Sequence, residues 1–157
     1  MSTQPGETET GSIEISRVIN APAERIYNAF LDADALGKFS PPAGYTATYD
    51  HVEPEIGGTY HGTFTALETK ESHSFGGEYV ELMPHKRIVQ SDQFETDTPE
   101  MQSVMTVTIT LEEVEDSTTV TVRQEGIPKP IPEEDAATGW GMSLENLARL
   151  VEFPEAE

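Results

Sequence analysis

The sequence predicts an α+β domain in which a meander of antiparallel strands is followed by one long carboxy-terminal helix. Three features of its 157 residues carry that expectation. From Tyr45 to Gly126, extended segments rich in Thr, Val, Ile and Tyr alternate with short breaks of turn residues, a pattern of hairpins rather than of parallel strands joined by helices. Beyond residue 132 the apolar period becomes helical, with Trp140, Leu144, Leu147 and Val151 on one stripe. The length suits a single domain with a substantial core.

Residues 1–11 are polar and aperiodic, expected as a disordered tail ahead of one domain over 12–157. Ile13, Ile15, Val18 and Ile19 form a β-branched first strand. Asn20-Ala-Pro-Ala-Glu then starts a helix: Asn20 or Ala21 caps, Pro22 takes the first turn where its missing N–H costs nothing, and Glu24 sits near the positive end of the dipole. Ile26, Tyr27, Phe30 and Leu31 continue at helical spacing, and a second short helix over 33–39 stops before Pro41-Pro42.

Strands are expected at 45–53, 58–68, 73–83, 87–95, 102–114 and 118–126. The clearest alternation places Met105, Val107, Ile109 and Leu111 on a buried face and threonines on a wet one. Gly57-Gly58 and Gly76-Gly77 read as hairpin turns or bulges that curve a sheet. Residues 127–132, with prolines at 128, 130 and 132, form a stiff extended arm. The helix over 133–153 is about 30 Å long at 1.5 Å per residue.

Nine Lys and Arg stand against 29 Asp and Glu, a formal charge of −20 that repels nucleic-acid phosphates and anionic lipid headgroups. Neither nucleic acid nor a membrane surface is therefore an expected partner. No apolar run approaches the about 20 residues that span a bilayer, and MSTQPGETETGS lacks the basic and apolar parts of a leader, so the expected location is cytoplasmic. The acidic residues are scattered through every segment, which favours halophilic adaptation over a docking patch for basic partners. With no cysteine there is no disulfide, thiolate metal site or cysteine nucleophile.

Candidates for chemistry are few. His51, His61, His73 and His85 contain no zinc-like spacing, and neither a metal nor a cofactor is expected. His61 could meet His73 across a hairpin, but Tyr60, Gly62, Phe64 and Ala66 fill the apolar phase and turn His61 to solvent, with ligand contact as the alternative. His85, beside Lys86, reads as ordinary surface. Glu81 reads as half of an exposed cross-strand ion pair; buried, it would need Arg87 or Arg123 and would become an acid or polar anchor. The run Glu112-Glu113-Val114-Glu115-Asp116 lacks the spacing of a calcium loop and reads as a hairpin tip. There is neither a Gly-x-Ser-x-Gly elbow nor a phosphate-cradling glycine loop.

Trp140, the only tryptophan, stands between Gly139 and Gly141. Either its indole lines a cavity mouth while the glycines let that turn adjust to a guest, or Gly139 closes a short helical turn begun at Glu133, Gly141 reopens the helix and Trp140 anchors the core.

The order strand, two short helices, six strands, long helix resembles the helix-grip fold of the SRPBCC or START-like superfamily. Within it, five motifs resemble the family related to the activator of the ninety-kilodalton heat-shock chaperone's ATPase. They are Asn20-Ala-Pro-Ala-Glu-Arg-Ile-Tyr-Asn-Ala-Phe, Ile56-Gly57-Gly58-Thr-Tyr, Glu81-Leu-Met-Pro-His-Lys-Arg-Ile-Val, Val120-Thr-Val-Arg-Gln, and Gly139-Trp140 with Leu144 and Leu147. Phe39 departs from the pattern, since family members often carry tryptophan ahead of the Pro-Pro.

The resemblance implies a curved antiparallel sheet around the last helix, with a central cavity between them. Members differ in function: many have no assigned activity, some act as co-chaperones, and distant relatives are cyclases or lipid carriers. The favoured expectation is non-enzymatic binding of a small apolar or amphipathic molecule by a monomer or homodimer. Phe30, Phe39, Tyr60, Phe64, Phe75, Tyr79, Phe94, Met105, Trp140 and Leu144 are candidate walls, and His61 and Glu81 candidate polar fixers. The alternatives are an interaction module whose partner is a chaperone, and a cyclase- or hydrolase-like enzyme using a polar pair inside the cavity.

Overall fold

Strand β1 (Thr10–Ile19) leads into helices α1 (Ala23–Phe30) and α2 (Ala33–Phe39). A meander follows: β2 (Tyr45–Val52), β3 (Thr59–Ala66), β4 (Ser72–Met83), β5 (Arg87–Phe94), β6 (Met105–Val114) and β7 (Ser117–Pro128). Helix α3 (Glu133–Glu152) closes the chain. This computed structural model describes residues 10–152. Thr10 and Gly11, expected in the tail, are strand residues, while residues 1–9 and Phe153, the expected last residue of the helix, lie outside the described residues. Among the described residues no helix is long and apolar enough to cross a membrane.

All seven strands form one curved antiparallel sheet in the order β1-β7-β6-β5-β4-β3-β2. Its curvature has local causes. The register shifts between Gly11 and Ser12, between Tyr49 and His51, and between Tyr79 and Glu81. Each such irregularity adds a residue to one strand, which bends it and increases its twist. Opposite the first shift, Gly126 adopts φ 79°, a left-handed conformation that an L side chain would resist.

That irregularity at Gly126 alters the proline-rich arm expected over 127–132. Ile127 and Pro128 continue β7, opposite Gly11 and Thr10. The chain then turns, Ile131 N–H donating to the Pro128 carbonyl at 2.9 Å, and the Pro132 carbonyl accepts from Asp135 and Ala136 to start α3. Proline is tolerated at the end of an edge pairing and at a helix start, so three prolines need not make one rod.

The start of α1 also differs. Pro22 is the N-cap and supplies no side-chain acceptor; instead Ala23 N–H donates to Glu113 Oε1 on β6 at 3.0 Å. Neither Asn20 nor Ala21, the two expected caps, takes that role; Asn20 donates its own N–H to Glu152 Oε2 at 2.9 Å, and its Oδ1 accepts from Ser117. Helix α2 is capped locally, Asp32 accepting from Ala35 N–H at 2.9 Å.

Helix α3 is tied at both ends. Glu133 Oε2 accepts from Ser12 N–H at 2.8 Å in β1, and Arg25 of α1 donates to the Val151 carbonyl at 2.8 Å. Between the ties only the second half is buried, through Ser143, Leu144, Leu147, Ala148 and Val151. The four apolar ones pack into a core with Ile19, Ile26, Ile88, Val120 and Val122.

The glycines divide by environment. Gly76 and Gly77 lie inside β4 rather than at a turn, and a Cβ on Gly77 would stand only 1.9 Å from the Ser91 carbonyl oxygen. Helix α3, in contrast, runs unbroken through Gly139 and Gly141, where an added Cβ meets nothing within 4 Å. No short turn closes at Gly139, so that reading of the Gly-Trp-Gly stretch does not hold. Gly141→Ala is expected to raise stability by about 1 kcal/mol, the helix-propensity difference. Gly77→Ala is expected to lower it by about 1–3 kcal/mol through overpacking. Urea denaturation midpoints of the two variants check both signs.

Candidate functional site

The half of α3 that is not buried spans a hollow of about 260 Å³ over the concave face of the sheet. Helices α1 and α2 close one side with Phe30, Leu36 and Phe39. Phe39 is fully buried and meets Phe30 edge to face at 5.2 Å. Strands β2 to β4 supply Tyr49, Tyr60, Phe64, Phe75 and Tyr79. Phe75 sits at their centre, with edge contacts to Phe64 at 4.9 Å and Tyr49 at 5.8 Å. Tyr49 and Tyr79 each adjoin a register shift, and such bulges re-aim the side chains beside them.

At the helix side, half-buried Trp140 lines the cavity and its Nε1–H donates to Gln124 Oε1 at 3.1 Å. The Gln124 amide in turn points Nε2 at Met105 Sδ, 3.2 Å away. One turn later Ser143 Oγ donates to the Ser40 carbonyl at 2.7 Å, joining α3 to the end of α2, and the Ser40 hydroxyl shares a 3.0 Å hydrogen bond with Tyr49.

Among the described residues the single carboxylate in the wall is Asp92. Tyr60 O–H lies within hydrogen-bonding reach of both Asp92 Oδ1, at 3.0 Å, and the Ser91 carbonyl, at 2.7 Å. Burial pushes the Asp92 carboxyl up to about 6, against the opposing pull of hydrogen bonds from Tyr60 and from the backbone at Gln93. Burial raises Tyr60 and Tyr49 strongly, and the negative charge of Asp92 adds to both shifts. Tyr79 is pushed up to about 12 by burial. The lining contains no lysine, arginine or histidine.

Nine of the twelve expected site residues stand in this wall: Phe30, Phe39, Tyr60, Phe64 and Phe75, then Tyr79, Phe94, Met105 and Trp140. Leu144 is buried in the core beneath, outside the lining. The two expected polar fixers lie elsewhere. His61 has Nδ1 2.7 Å from Asp50 and Nε2 2.9 Å from Glu95, both exposed carboxylates, and the hydrogen bond with Asp50 is the main reason its pKa is raised. His61 pairs in register with Gly76, not with His73. Glu81 makes a 3.5 Å ion pair with Arg87 in which both side chains are well exposed. His85, expected as plain surface, is exposed but also meets Tyr27 edge on at 5.5 Å. Among the described residues no cluster of three or more His, Asp or Glu could hold a metal ion.

The polar wall residues absent from the expected set are Ser40, Tyr49, Gln90, Asp92, Gln124 and Ser143; the first two and the last come from the end of α2, from β2 and from α3, the others from β5 and β7. The alternation of β5 carries a signal for two of them: Ile88 is fully buried, and Gln90, Asp92 and Phe94 share its phase. In β7 the phase of Val120 and Val122 likewise delivers Gln124.

Residues 20–152 match the family described as "Activator of Hsp90 ATPase homolog 1-like protein". A crystal structure of a Chromobacterium violaceum protein is 41% identical, with a TM-score of 0.86 over 92% of this chain and 98% of that one. A Rhodobacter sphaeroides protein (20% identity, TM-score 0.80, 96% and 97% covered) and one from Staphylococcus epidermidis (21%, 0.76, 96% and 96%) share the fold. No curated protein matches the chain.

The raised pKa of Asp92 has a definite sign. Between about pH 4 and 6 the folded state holds a proton that the unfolded state has released, so stability falls as pH rises through that window and then levels. Asp92→Asn is expected to remove this slope and to be more stable than the parent at pH 7 by about 2–3 kcal/mol. Thermal or urea unfolding of both proteins at pH 4.5 and 7 measures the difference; an identical pH dependence would contradict it.

Proposed function

The chain belongs to the activator of Hsp90 ATPase homolog 1-like family, and from that premise we propose that it binds a small, largely apolar molecule in the cavity between the sheet and α3. The observation that carries this reading is the cavity itself, an aromatic-lined hollow in which polar groups are few and mostly occupied with one another. Binding sites for small molecules have this make-up, apolar walls with a few placed polar atoms. An apolar cavity of about 150 Å³ is enough to take benzene. At about 260 Å³ the present hollow suits a one- or two-ring guest.

Burying about 200 Å² of apolar guest surface at about 25 cal/mol per Å² gives about 5 kcal/mol, a dissociation constant near about 0.2 mM for a featureless probe. Polar contacts would improve on that. The enzymatic alternative built on His61 or Glu81 receives no support from the wall, since neither side chain belongs to it.

Trp140 reports on occupancy because its indole is part of the lining. Titration with a neutral ring compound such as naphthalene or toluene is expected to change its fluorescence saturably. Val107→Phe, which fills the hollow from β6, is expected to abolish the change, with circular dichroism verifying that the variant is folded. A flat titration in the parent protein, or an unaltered response in the folded filled variant, would contradict cavity binding.

A further inference from the structure

The wall is unevenly equipped. It presents a carboxylate and no basic side chain, so a guest with an anionic head, such as a fatty acid, would meet Asp92 and find no counter-charge. Asp92 itself has Tyr60 as a hydrogen-bond partner but no cation in the lining. Asp92 is half-buried at the cavity, and a charge withdrawn that far from water is ordinarily paired. The same wall carries the rings of Tyr60, Tyr79, Tyr49 and Phe75, with those of Tyr60 and Tyr79 5.4 Å apart. Aromatic faces attract organic cations through the ring quadrupole, most strongly where water is excluded. Tyr79 adds a hydroxyl that is almost completely buried and makes no hydrogen bond among the described residues, an available acceptor for a second N–H. The net charge of −20 further enriches cations and depletes anions near the molecule.

We propose that the guest is a small hydrophobic amine, its protonated nitrogen against Asp92 and its ring among the aromatic side chains of the sheet and Trp140. This rests on the cavity-binding reading and narrows it from apolar or amphipathic molecules in general to cationic ones. The ion pair needs Asp92 ionised, so amine binding weakens as pH falls through the range in which burial holds that carboxyl. The titratable groups facing Asp92 are Tyr60 from β3, Tyr49 from β2 and Tyr79 from β4, all held protonated over that range. From β6, β7 and α3 the cavity receives apolar side chains, an amide, an indole and a hydroxyl, none of which titrates there.

Three probes of one shape test the proposal on the whole chain at pH 7.5: 2-phenylethylamine, 2-phenylethanol and phenylacetate, followed by Trp140 fluorescence or calorimetry. The expected order is amine tighter than alcohol by about tenfold or more, with phenylacetate weakest. In Asp92→Asn the amine is expected to fall to the level of the alcohol while the alcohol changes by less than about threefold. In the unmodified protein, lowering the pH from 7.5 to 5 is expected to weaken the amine and leave the alcohol unchanged, a comparison that needs no variant. Equal affinity for amine and alcohol, a phenylacetate that binds best, or an amine indifferent to both Asp92→Asn and pH would overturn the amine proposal and leave cavity binding standing. If none of the three binds, both fall.

Discussion

The hollow exists because α3 is held at its ends and buried along only one half. Glu133 is tied to β1 and the Val151 carbonyl to Arg25, while Leu144, Leu147, Ala148 and Val151 sink into the core. The amino-terminal half therefore crosses above the sheet without packing into it, and the register shifts that bend the sheet keep the strands from flattening up against it. Everything assigned to the cavity depends on this division of one helix into a gripped part and a spanning part. Trp140 sits where the two parts meet, half-buried against the edge of the core, with its indole N–H held by Gln124.

The two glycines flanking Trp140 do not serve a steric need. Neither is required by a close approach, since a methyl group at either position would stand in open space. Their effect is to leave the spanning half thin and less strongly helical, at a propensity cost of about 1 kcal/mol each. Asp92 adds a second cost, a carboxylate placed where burial opposes its ionisation. Local features that lower stability at a cavity wall are the places where function and folding pull in different directions.

Most of the fold was legible because its signals are local. Alternation, proline and turn residues placed every strand and helix within a few positions, and the resemblance supplied the way they assemble. What was missed depends on distant partners. Glu113 caps α1 from 90 residues away, and nothing near Ala23 announces it. The 127–132 segment reads as a rod until Gly126 is known to interrupt the pairing with β1 and let Ile127 and Pro128 continue it. For the site, aromatic residues at apolar positions are easy to place in the wall; the phase of β3 turns His61 outward, whereas Glu81 shares the inward phase of Tyr79 and leaves the wall only because the register shifts between the two. The same phase in β5 leads from Ile88 through Gln90 and Asp92 to Phe94. Following phase ahead of residue type finds the half-buried carboxylate of the wall.

Cavity binding requires unfilled space between the sheet and the spanning half of α3. Xenon enters apolar cavities of this size and is readily seen in diffraction. Crystals of the protein pressurised with xenon are expected to show the gas bound among Phe75, Met105 and Trp140. A map with no xenon there, and with the wall side chains closed into contact across the space, would contradict it.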